Sequence, residues 1–213
     1  MTQEIYISID IEADGPCPGL HSMLSIAAVA INPQLQNPEI GHWYANLELL
    51  EGADSDPGTD AWWAKQPHAY AETRKLIIHP KDAMESLRDW LRTLPGKKIC
   101  IAYPAGFDFT FLYYYCHRFL GECPLGFSAL DIKTYGACVL SLDYSQATKK
   151  QFPKEWFDKS KPHTHVALDD AREQAYLFCK MLDARDRIEL TQRRYRDDAI
   201  EEAIQRLSDL RGK

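Results

Sequence analysis

The sequence predicts an α/β fold in which a mixed central sheet is flanked by helices. Three segments with the residue types and alternation of strands come first, at residues 5–10, 24–31 and 42–49. Segments with the helical spacing of apolar residues follow, and one further short, buried strand lies among them at residues 99–103. This order is typical of a sheet covered by helices rather than of a sandwich or a helix bundle.

The first three strands are close together in the sequence. The strand at residues 5–10 ends in the glycine- and proline-rich turn DGPCPG, which leads into the apolar run LSIAAVAI. The segment at residues 42–49 alternates enough to form a third, antiparallel strand. A polar loop, EGADSDPGTD, then precedes the segment AWWAKQP. The helix of residues 80–94 has its apolar residues on one face and ends at Pro95 and Gly96.

The second half of the chain is predicted to be mainly helical. The helical segment FDFTFLYYYCHRF follows the strand at residues 99–103, and further helices are expected at residues 130–142 and 167–182. About half of the residues from 186 onward are charged. We therefore expect one domain at residues 1–185 and a charged amphipathic helix at residues 186–213. Packing of this helix on its own domain is slightly favoured, and a dimerising helix is the alternative.

The composition, 45% hydrophobic and 26% charged in 213 residues, is that of an ordinary globular domain. The longest apolar runs are far too short to cross a bilayer, and the N-terminus does not have the pattern of a secretory signal. Six cysteines without a C-x-x-C pair argue against a structural zinc site and favour reduced thiols in the cytoplasm. The net charge of −6 does not favour nucleic-acid binding. A small site can nevertheless meet phosphate through bound metal and a local basic patch.

Two carboxylates stand at the end of the first predicted strand, in the segment IYISIDIEADGP. Residues two apart in a strand point to the same face, so Asp10 and Glu12 lie side by side. Two carboxylates this close repel each other unless a cation lies between them, and such hard oxygen ligands suit Mg²⁺ or Mn²⁺. The pair alone is equally compatible with a solvated strand end that is acidic by chance.

Three further residues strengthen the case for a metal site. Asp108 follows the strand at residues 99–103 and opens a helix between two phenylalanines, although an N-cap is its plainer interpretation. His165 and Asp170 lie five residues apart in the segment THVALDDA, where the helix of residues 167–182 begins. A surface histidine beside an acid that the helix dipole favours is the plainer interpretation of that pair.

Taken in order, the patterns D-x-E, F-D-x-x-F and H-x-A-L-x-D-A are much more specific together than singly. With them the sequence resembles the DEDDh family of 3′–5′ exonucleases, which includes proofreading exonucleases, RNase T and oligoribonuclease. The resemblance covers roughly residues 4–183. It implies an RNase H-like fold, with the acidic pair on the first strand, the third acid after a later strand, and the histidine and fourth acid at a late helix.

The resemblance also implies a phosphodiesterase that uses two divalent cations, Mg²⁺ or Mn²⁺. Asp10 would bridge both ions, Glu12 and Asp170 would complete the site on the side of the attacking water, and Asp108 would serve the side of the leaving oxygen. His165 would be the general base. Two ions ~4 Å apart can clamp the attacking and leaving oxygens of an in-line displacement. A histidine with a pKa near neutrality can accept a proton at physiological pH.

Three neighbouring residues compete for these roles. The family spacing H-x-x-x-x-D selects Asp170 rather than the adjacent Asp169, and it selects His165 rather than His163. We expect Asp131, in the segment FSALDIKTYG, to be structural or to support the site rather than to bind metal.

Four residues are predicted to contact substrate: Trp63, Gln66, Phe107 and Phe127. The segment TDAWWAKQP resembles the WW-x-x-Q segment of phage-type exodeoxyribonucleases and of bacterial exoribonucleases related to RNase T. This implies that one tryptophan faces the terminal nucleotide, with Gln66 nearby. Two tryptophans after a polar loop are not expected to be fully buried together. The phenylalanines are next to motif acids, where family members often stack bases, and core packing is the alternative for all three aromatic residues.

The segment ATKKQFPKEWFDKSKPHTH carries five lysines, from Lys149 to Lys161, interleaved with aromatic residues. Such a segment is suited to guiding a phosphate backbone, and a solvated loop is its plainer interpretation.

The sequence therefore predicts a 3′–5′ exonuclease that releases 5′-mononucleotides from single-stranded RNA or DNA 3′ ends, with RNA slightly favoured. The resemblance to the family and the amphipathic C-terminal helix are both compatible with a homodimer, which the sequence does not establish. The alternatives are a hydrolase of very short oligonucleotides and an inactive nucleic-acid-binding module of the same fold. The intact set of four acids and one histidine argues against the last of these, because a binder needs none of them.

Overall fold

A computed structural model describes residues 3–160 and 163–211 of the chain, with side chains described as far as residue 203. In this part of the chain, five strands form one mixed sheet. They are β1 (Glu4–Ala13), β2 (Met23–Ile31), β3 (Glu39–Asn46), β4 (Lys97–Ala102) and β5 (Ala129–Asp131).

The spatial order of the sheet is β3-β2-β1-β4-β5. β1 and β2 pair antiparallel, as do β2 and β3, whereas β4 runs parallel to β1 and β5 parallel to β4. β1 is therefore central, and its carboxyl end lies at the same edge of the sheet as those of β4 and β5.

Helices lie in the connections from β3 to β4 and from β4 to β5 and after β5, and they cover both faces of the sheet. The first three begin with a proline in their first turn, where the missing backbone N–H costs no hydrogen bond. A short 3₁₀ turn, Lys154–Trp156, precedes the last helix. The helices are α1 (Pro57–Trp63), α2 (Pro67–Thr73), α3 (Pro80–Thr93), α4 (Ala105–Leu120), α5 (Ile132–Leu140) and α6 (Ala167–Arg211).

The alternation of β1 separates a purely apolar face from the face that carries the acids. Ile7 and Ile9 pack in one core with Leu87 of α3 and Phe111 of α4. On the opposite face, β1 and β2 pack against α6, and a second core forms around Phe178. Period-two alternation therefore places Asp10 and Glu12 against the start of α6.

The structure confirms the predicted α/β architecture and most of its elements. The helix predicted at residues 130–142 is confirmed as α5, but it begins two residues later, because residues 129–131 form the edge strand β5, which was not predicted. A strand of three residues is too short to show a period. The helices α1 and α2 were not predicted. The last four residues of the predicted loop at 51–60 belong to α1, which begins at Pro57. Asp56 caps α1 by accepting a hydrogen bond from the backbone N–H of Thr59, at 2.7 Å.

The last helix has no break near residue 186. α6 runs unbroken to Arg211 because no glycine or proline interrupts residues 167–211. All described side chains at residues 185–203 are exposed, so the expectation that this part packs on its own domain was wrong. The predicted apolar positions 204 and 207 lie outside the described side chains. No described helix is both long and apolar enough to cross a membrane.

Truncation after Asp186 should leave the domain folded, because the described side chains that it removes are exposed. We expect the thermal midpoint to change by only a few degrees, since surface changes usually alter stability by less than about 0.5 kcal/mol. Circular dichroism melting checks this. Truncation after Gln174, which also removes the buried Leu177 and Phe178, should abolish cooperative unfolding. A disordered 1–186 protein would contradict the predicted domain boundary.

Candidate active site

The four acids predicted as metal ligands lie together in the structure. Asp10, Glu12, Asp108 and Asp170 are all less than a tenth exposed. Carboxylate oxygens of Asp10, Glu12 and Asp170 lie within 4.8 Å of one another. Asp108 joins them because its Oδ1 accepts a hydrogen bond from the backbone N–H of Ile11, at 3.1 Å, between the two acids of β1.

The sheet topology explains this convergence. Asp10 and Glu12 are near the carboxyl end of β1, and Asp108 is in the first turn of α4, which follows β4. Because β1 and β4 are parallel neighbours, their carboxyl ends meet at one edge. α6 packs across the same face of β1 and brings Asp170, in its own first turn, to that edge.

Burial and nearby charges raise the pKa of three of these acids, Asp10, Glu12 and Asp108. Burial raises the pKa of Asp10 well above its ordinary value, and the charges of Asp108, Glu12 and Asp170 add to this. Burial, followed by the charges of Asp170 and Asp108, raises the pKa of Glu12 to about 9. Burial raises the pKa of Asp108 to about 7. A buried set of oxygen donors that resist ionisation fits a divalent cation, whose charge would offset both causes.

Gln174 holds Asp10 in place. Its Nε2 donates a hydrogen bond to Oδ1 of Asp10, at 2.6 Å, and both side chains are buried. No partner of the amide oxygen of Gln174 is found among the described residues. The sequence offered a signal for this contact, because Gln174 is four residues after Asp170 and so shares its helix face.

The segment before α6 wraps around the carboxylate of Asp170. The backbone N–H groups of Thr164 and His165 donate hydrogen bonds to its two oxygens, at 2.8 and 3.0 Å. His165 has a left-handed backbone conformation with φ of 59°, which is strained for a residue other than glycine. The five-residue spacing between His165 and Asp170 thus corresponds to a turn that is held by the hydrogen bonds to the carboxylate of Asp170.

The two histidines of this turn have opposite electrostatic environments. Nδ1 of His163 lies 2.9 Å from Oδ2 of Asp170 and 3.4 Å from Oε2 of Glu173. Hydrogen bonds to these two acids raise the pKa of His163 to about 9. Burial, followed by the charge of His163, lowers the pKa of His165. At neutral pH His163 is therefore a cation, and His165 is neutral and able to accept a proton.

Glu173 extends the site toward a lysine. Its Oε2 binds Nζ of Lys149 as well as facing His163. Burial opposes ionisation of Glu173, but the hydrogen bonds from His163 and Lys149 lower its pKa overall. The sequence reasoning assigned no role to Glu173 or to this contact, since the two residues are 24 apart in the chain.

The two adjacent tryptophans have different surroundings, and the expectation that they are not both buried is confirmed. Trp63 is only 4% exposed, and its Nε1–H donates to the carbonyl oxygen of Ala13, at 2.9 Å. It thereby anchors α1 to the end of β1, which corrects the placement of Trp63 at the substrate surface. Trp62 is 37% exposed, and its ring centroid lies 4.8 Å from that of His165, edge to face.

The other three predicted substrate contacts differ in how far their side chains are exposed. Gln66 is half-buried and precedes the first residue of α2. Phe107 is half-buried and packs against Phe111, with ring centroids 5.2 Å apart. Phe127 is almost fully exposed. No described contact joins any of the three to the acid cluster, so their role in binding stays a prediction.

Three other expectations concern residues around the site. Asp131 is structural: it caps α5 and accepts a hydrogen bond from the backbone N–H of Ala105, at 2.8 Å. Asp169 is exposed. In the lysine-rich segment, Phe152 and Trp156 are buried in the core, so these rings do not face a nucleic acid. Lys161 of that segment lies outside the described residues.

Comparison with known proteins agrees with this geometry. The family model of the Rv2179c-like 3′-5′ exoribonuclease domain matches residues 5–182. The chain belongs to this family. The 3′-5′ DNA exonuclease Cap18 of Escherichia coli is 33% identical over 186 residues, which are 83% of this chain and 90% of the relative. These two findings identify the chain as a 3′–5′ exonuclease, a hydrolase.

Solved structures confirm the RNase H-like fold and the resemblance to the DEDDh exonucleases. The nuclease domain of 3′hExo, a DEDDh family member bound to rAMP, is similar with a TM-score of 0.63 at 14% identity. The match covers 84% of this chain and 91% of that one. Escherichia coli exonuclease I in complex with a dA16 oligonucleotide gives a TM-score of 0.57 at 16% identity, covering 85% and 40%.

Metal-free protein should lose stability as the pH rises from about 6 to about 8. The ordinary pKa of Glu12 is 4.5, and in the fold it is about 9, so the folded chain retains a proton that the unfolded chain has released. The stability from this proton is fully present below pH 4.5 and falls by at most about 1.4 kcal/mol per pH unit above it. The raised pKa of His163 acts in the same direction.

Thermal unfolding in EDTA at several pH values in this window measures the slope. Glu12→Gln should flatten it, because the amide does not titrate. Equal slopes for Glu12→Gln and the wild type would contradict the assignment to Glu12.

Proposed function

We propose that this exonuclease removes 5′-mononucleotides from single-stranded 3′ ends with the help of two divalent cations, Mg²⁺ or Mn²⁺. The observation that carries the proposal is the convergence of Asp10, Glu12, Asp108 and Asp170 beside a neutral His165. A chain that only bound nucleic acid would gain nothing from four buried carboxylates, because they repel phosphate.

Asp10, Glu12 and Asp170 would hold the cations on the side of the attacking water, and Asp108 on the side of the leaving oxygen. When bound, the cations would neutralise the charge that builds on the phosphate and lower the pKa of the attacking water. Gln174 fixes one oxygen of Asp10 and the turn at residues 164–165 fixes Asp170, so the donors are held in place before substrate arrives.

His165 takes the proton of the attacking water. Its lowered pKa keeps the imidazole neutral at physiological pH, and its position at the end of the turn places it within 4.8 Å of a carboxylate oxygen of Asp170. His163 is less suited to this role because its ion pairs with Asp170 and Glu173 keep it protonated.

Trp62 takes the substrate role that the sequence assigned to Trp63. Its partly exposed ring stands edge-on to His165. A terminal nucleobase that stacks on Trp62 would therefore bring its phosphodiester next to His165 and the acids. Stacking of a base on an aromatic ring is worth ~1–3 kcal/mol and is tolerant of base identity.

The preferred sugar is proposed to be ribose. The matching family model is described as an exoribonuclease domain, which supports RNA, whereas Cap18 is described as a DNA exonuclease. A protein separates the two mainly by contacts to the 2′-hydroxyl. Matched RNA and DNA substrates therefore belong in the first assay.

With 5′-labelled single-stranded RNA and Mg²⁺ or Mn²⁺, the protein should give a ladder that shortens from the 3′ end and releases 5′-mononucleotides. EDTA should abolish the ladder because it removes the cations. Asp10→Asn should abolish it because the cations lose a carboxylate ligand. His165→Asn should slow hydrolysis by ~10²–10⁴-fold, the usual contribution of a general base. Gel electrophoresis of time points measures both effects.

Asp169→Asn is the matched control, since it makes the same charge change one residue from Asp170 at an exposed position. It should retain activity within a few-fold. Hydrolysis confined to di- and trinucleotides would favour the alternative of a short-oligonucleotide hydrolase. Metal-independent binding without hydrolysis of any substrate would favour the inactive module and would overturn the proposal.

Trp62→Ala should raise KM for single-stranded substrates by about tenfold or more, while Trp62→Phe should retain much of the affinity because stacking requires a ring. Steady-state kinetics with a labelled oligonucleotide measures both. A Trp62→Ala protein with unchanged KM would contradict the stacking role.

A further inference from the structure

A surface groove of about 540 Å³ lies beside the active site, between the start of α4, the start of α5 and the segment that follows α5. Its lining includes Lys133, Lys149 and Lys150 together with Tyr103 and Tyr144. Among the described residues, no carboxylate lines the groove. The chain as a whole carries a net charge of −6, so this is a local concentration of positive charge on an acidic protein.

The groove is joined to the catalytic residues by Lys149. Nζ of this lysine lies 5.3 Å from the centroid of the Tyr103 ring in the groove wall, and it also binds Glu173 beside the catalytic turn. On the other wall, the carboxylate of Asp131 ties α5, which carries Lys133, to the first residue of α4. Asp108 is in the first turn of that helix, so the groove and the acid cluster are built on the same helix ends.

Lys133 and Tyr144 form a preassembled pair at the outer part of the groove. Nζ of Lys133 lies 3.9 Å from the centroid of the Tyr144 ring, and this ring is 57% exposed. A lysine over an aromatic face is a cation–π contact, which positions both groups. Lys150 is exposed at the same groove. Two ammonium groups and an open ring are the chemistry that recognises a phosphate backbone and a base.

We propose that this groove binds the backbone phosphates of the substrate strand upstream of the scissile bond through Lys133 and Lys150, and that a base stacks on Tyr144. The inference rests on the proposed function and extends it. The 3′ end enters the acid cluster, so any part of the strand that lies in the groove must be on its 5′ side. The site then favours substrates that are long enough to reach the groove over very short ones.

The test compares Lys133→Ala/Lys150→Ala with Lys81→Ala/Lys97→Ala, which makes the same charge change at exposed positions on α3 and at the start of β4. For a single-stranded oligonucleotide of about 12 nucleotides, the groove variant should raise KM about tenfold and leave kcat within about twofold. Hydrolysis of the p-nitrophenyl ester of uridine 5′-phosphate, which is too small to reach the groove, should not change. Tyr144→Ala should also raise KM, and Tyr144→Phe should restore it.

Binding of the same oligonucleotide in EDTA, followed by fluorescence anisotropy, gives a readout that does not require hydrolysis. Each lost phosphate contact should make the plot of log binding constant against log salt concentration less steep by about 0.7. The slope of the groove variant, which loses two contacts, should therefore be less steep by roughly 1.4. The slope of the control variant should not change. A groove variant that matches the control in KM and salt slope would overturn the inference. So would an equal loss on the small ester by a variant whose thermal midpoint is unchanged, because the lysines would then act on the active site and not on the upstream strand.

Failure of the proposed function has a different signature. Wild-type protein would then cleave neither the oligonucleotide nor the ester. The anisotropy comparison would still decide whether the groove binds a phosphate backbone.

Discussion

The repulsion among four buried carboxylates is the constraint on which the rest of this structure depends. Asp10, Glu12, Asp108 and Asp170 are brought together by a sheet edge and two helix ends, and burial raises the pKa of the first three. Such an arrangement destabilises the metal-free fold. It persists because the surrounding core holds the elements in place, and the proposed divalent cations would make it favourable by neutralising the charge.

The turn before α6 shows how the chain manages this charge. Asp170 is surrounded by two backbone N–H donors and the imidazolium of His163, which compensate for its burial. The positive charge of His163 in turn helps to keep His165 neutral. Two histidines two residues apart thus differ in protonation state at neutral pH, and the difference arises from which of them faces the acids.

The proposed binding of a nucleic-acid strand depends on local charge rather than on the overall charge balance of this protein. A net charge of −6 would repel a nucleic acid from most of the surface. The groove lined by Lys133, Lys149 and Lys150 is an exception next to the acid cluster, and Lys149 neutralises Glu173 where the two meet. The aromatic residues Phe152 and Trp156 of the lysine-rich segment are buried in the core instead.

The sequence by itself determined the fold class and the composition of the acid cluster. Period-two alternation in β1 places Asp10 and Glu12 on one face, and the resemblance of the ordered motifs to those of DEDDh exonucleases pointed to Asp108, His165 and Asp170 without coordinates. These are local patterns, and local spacing is what a sequence records directly. The same reasoning missed β5, α1 and α2, which are too short for a period to emerge.

Only the tertiary structure decided which side chains face one another across elements. It buried Trp63 against Ala13 and left Trp62 beside His165, although the two are adjacent in the sequence. It paired Gln174 with Asp10 and Lys149 with Glu173, residues 164 and 24 positions apart. It also left the described side chains of α6 at residues 185–203 exposed instead of packed on the domain. These outcomes depend on packing between distant segments, and no spacing within one segment contains that information.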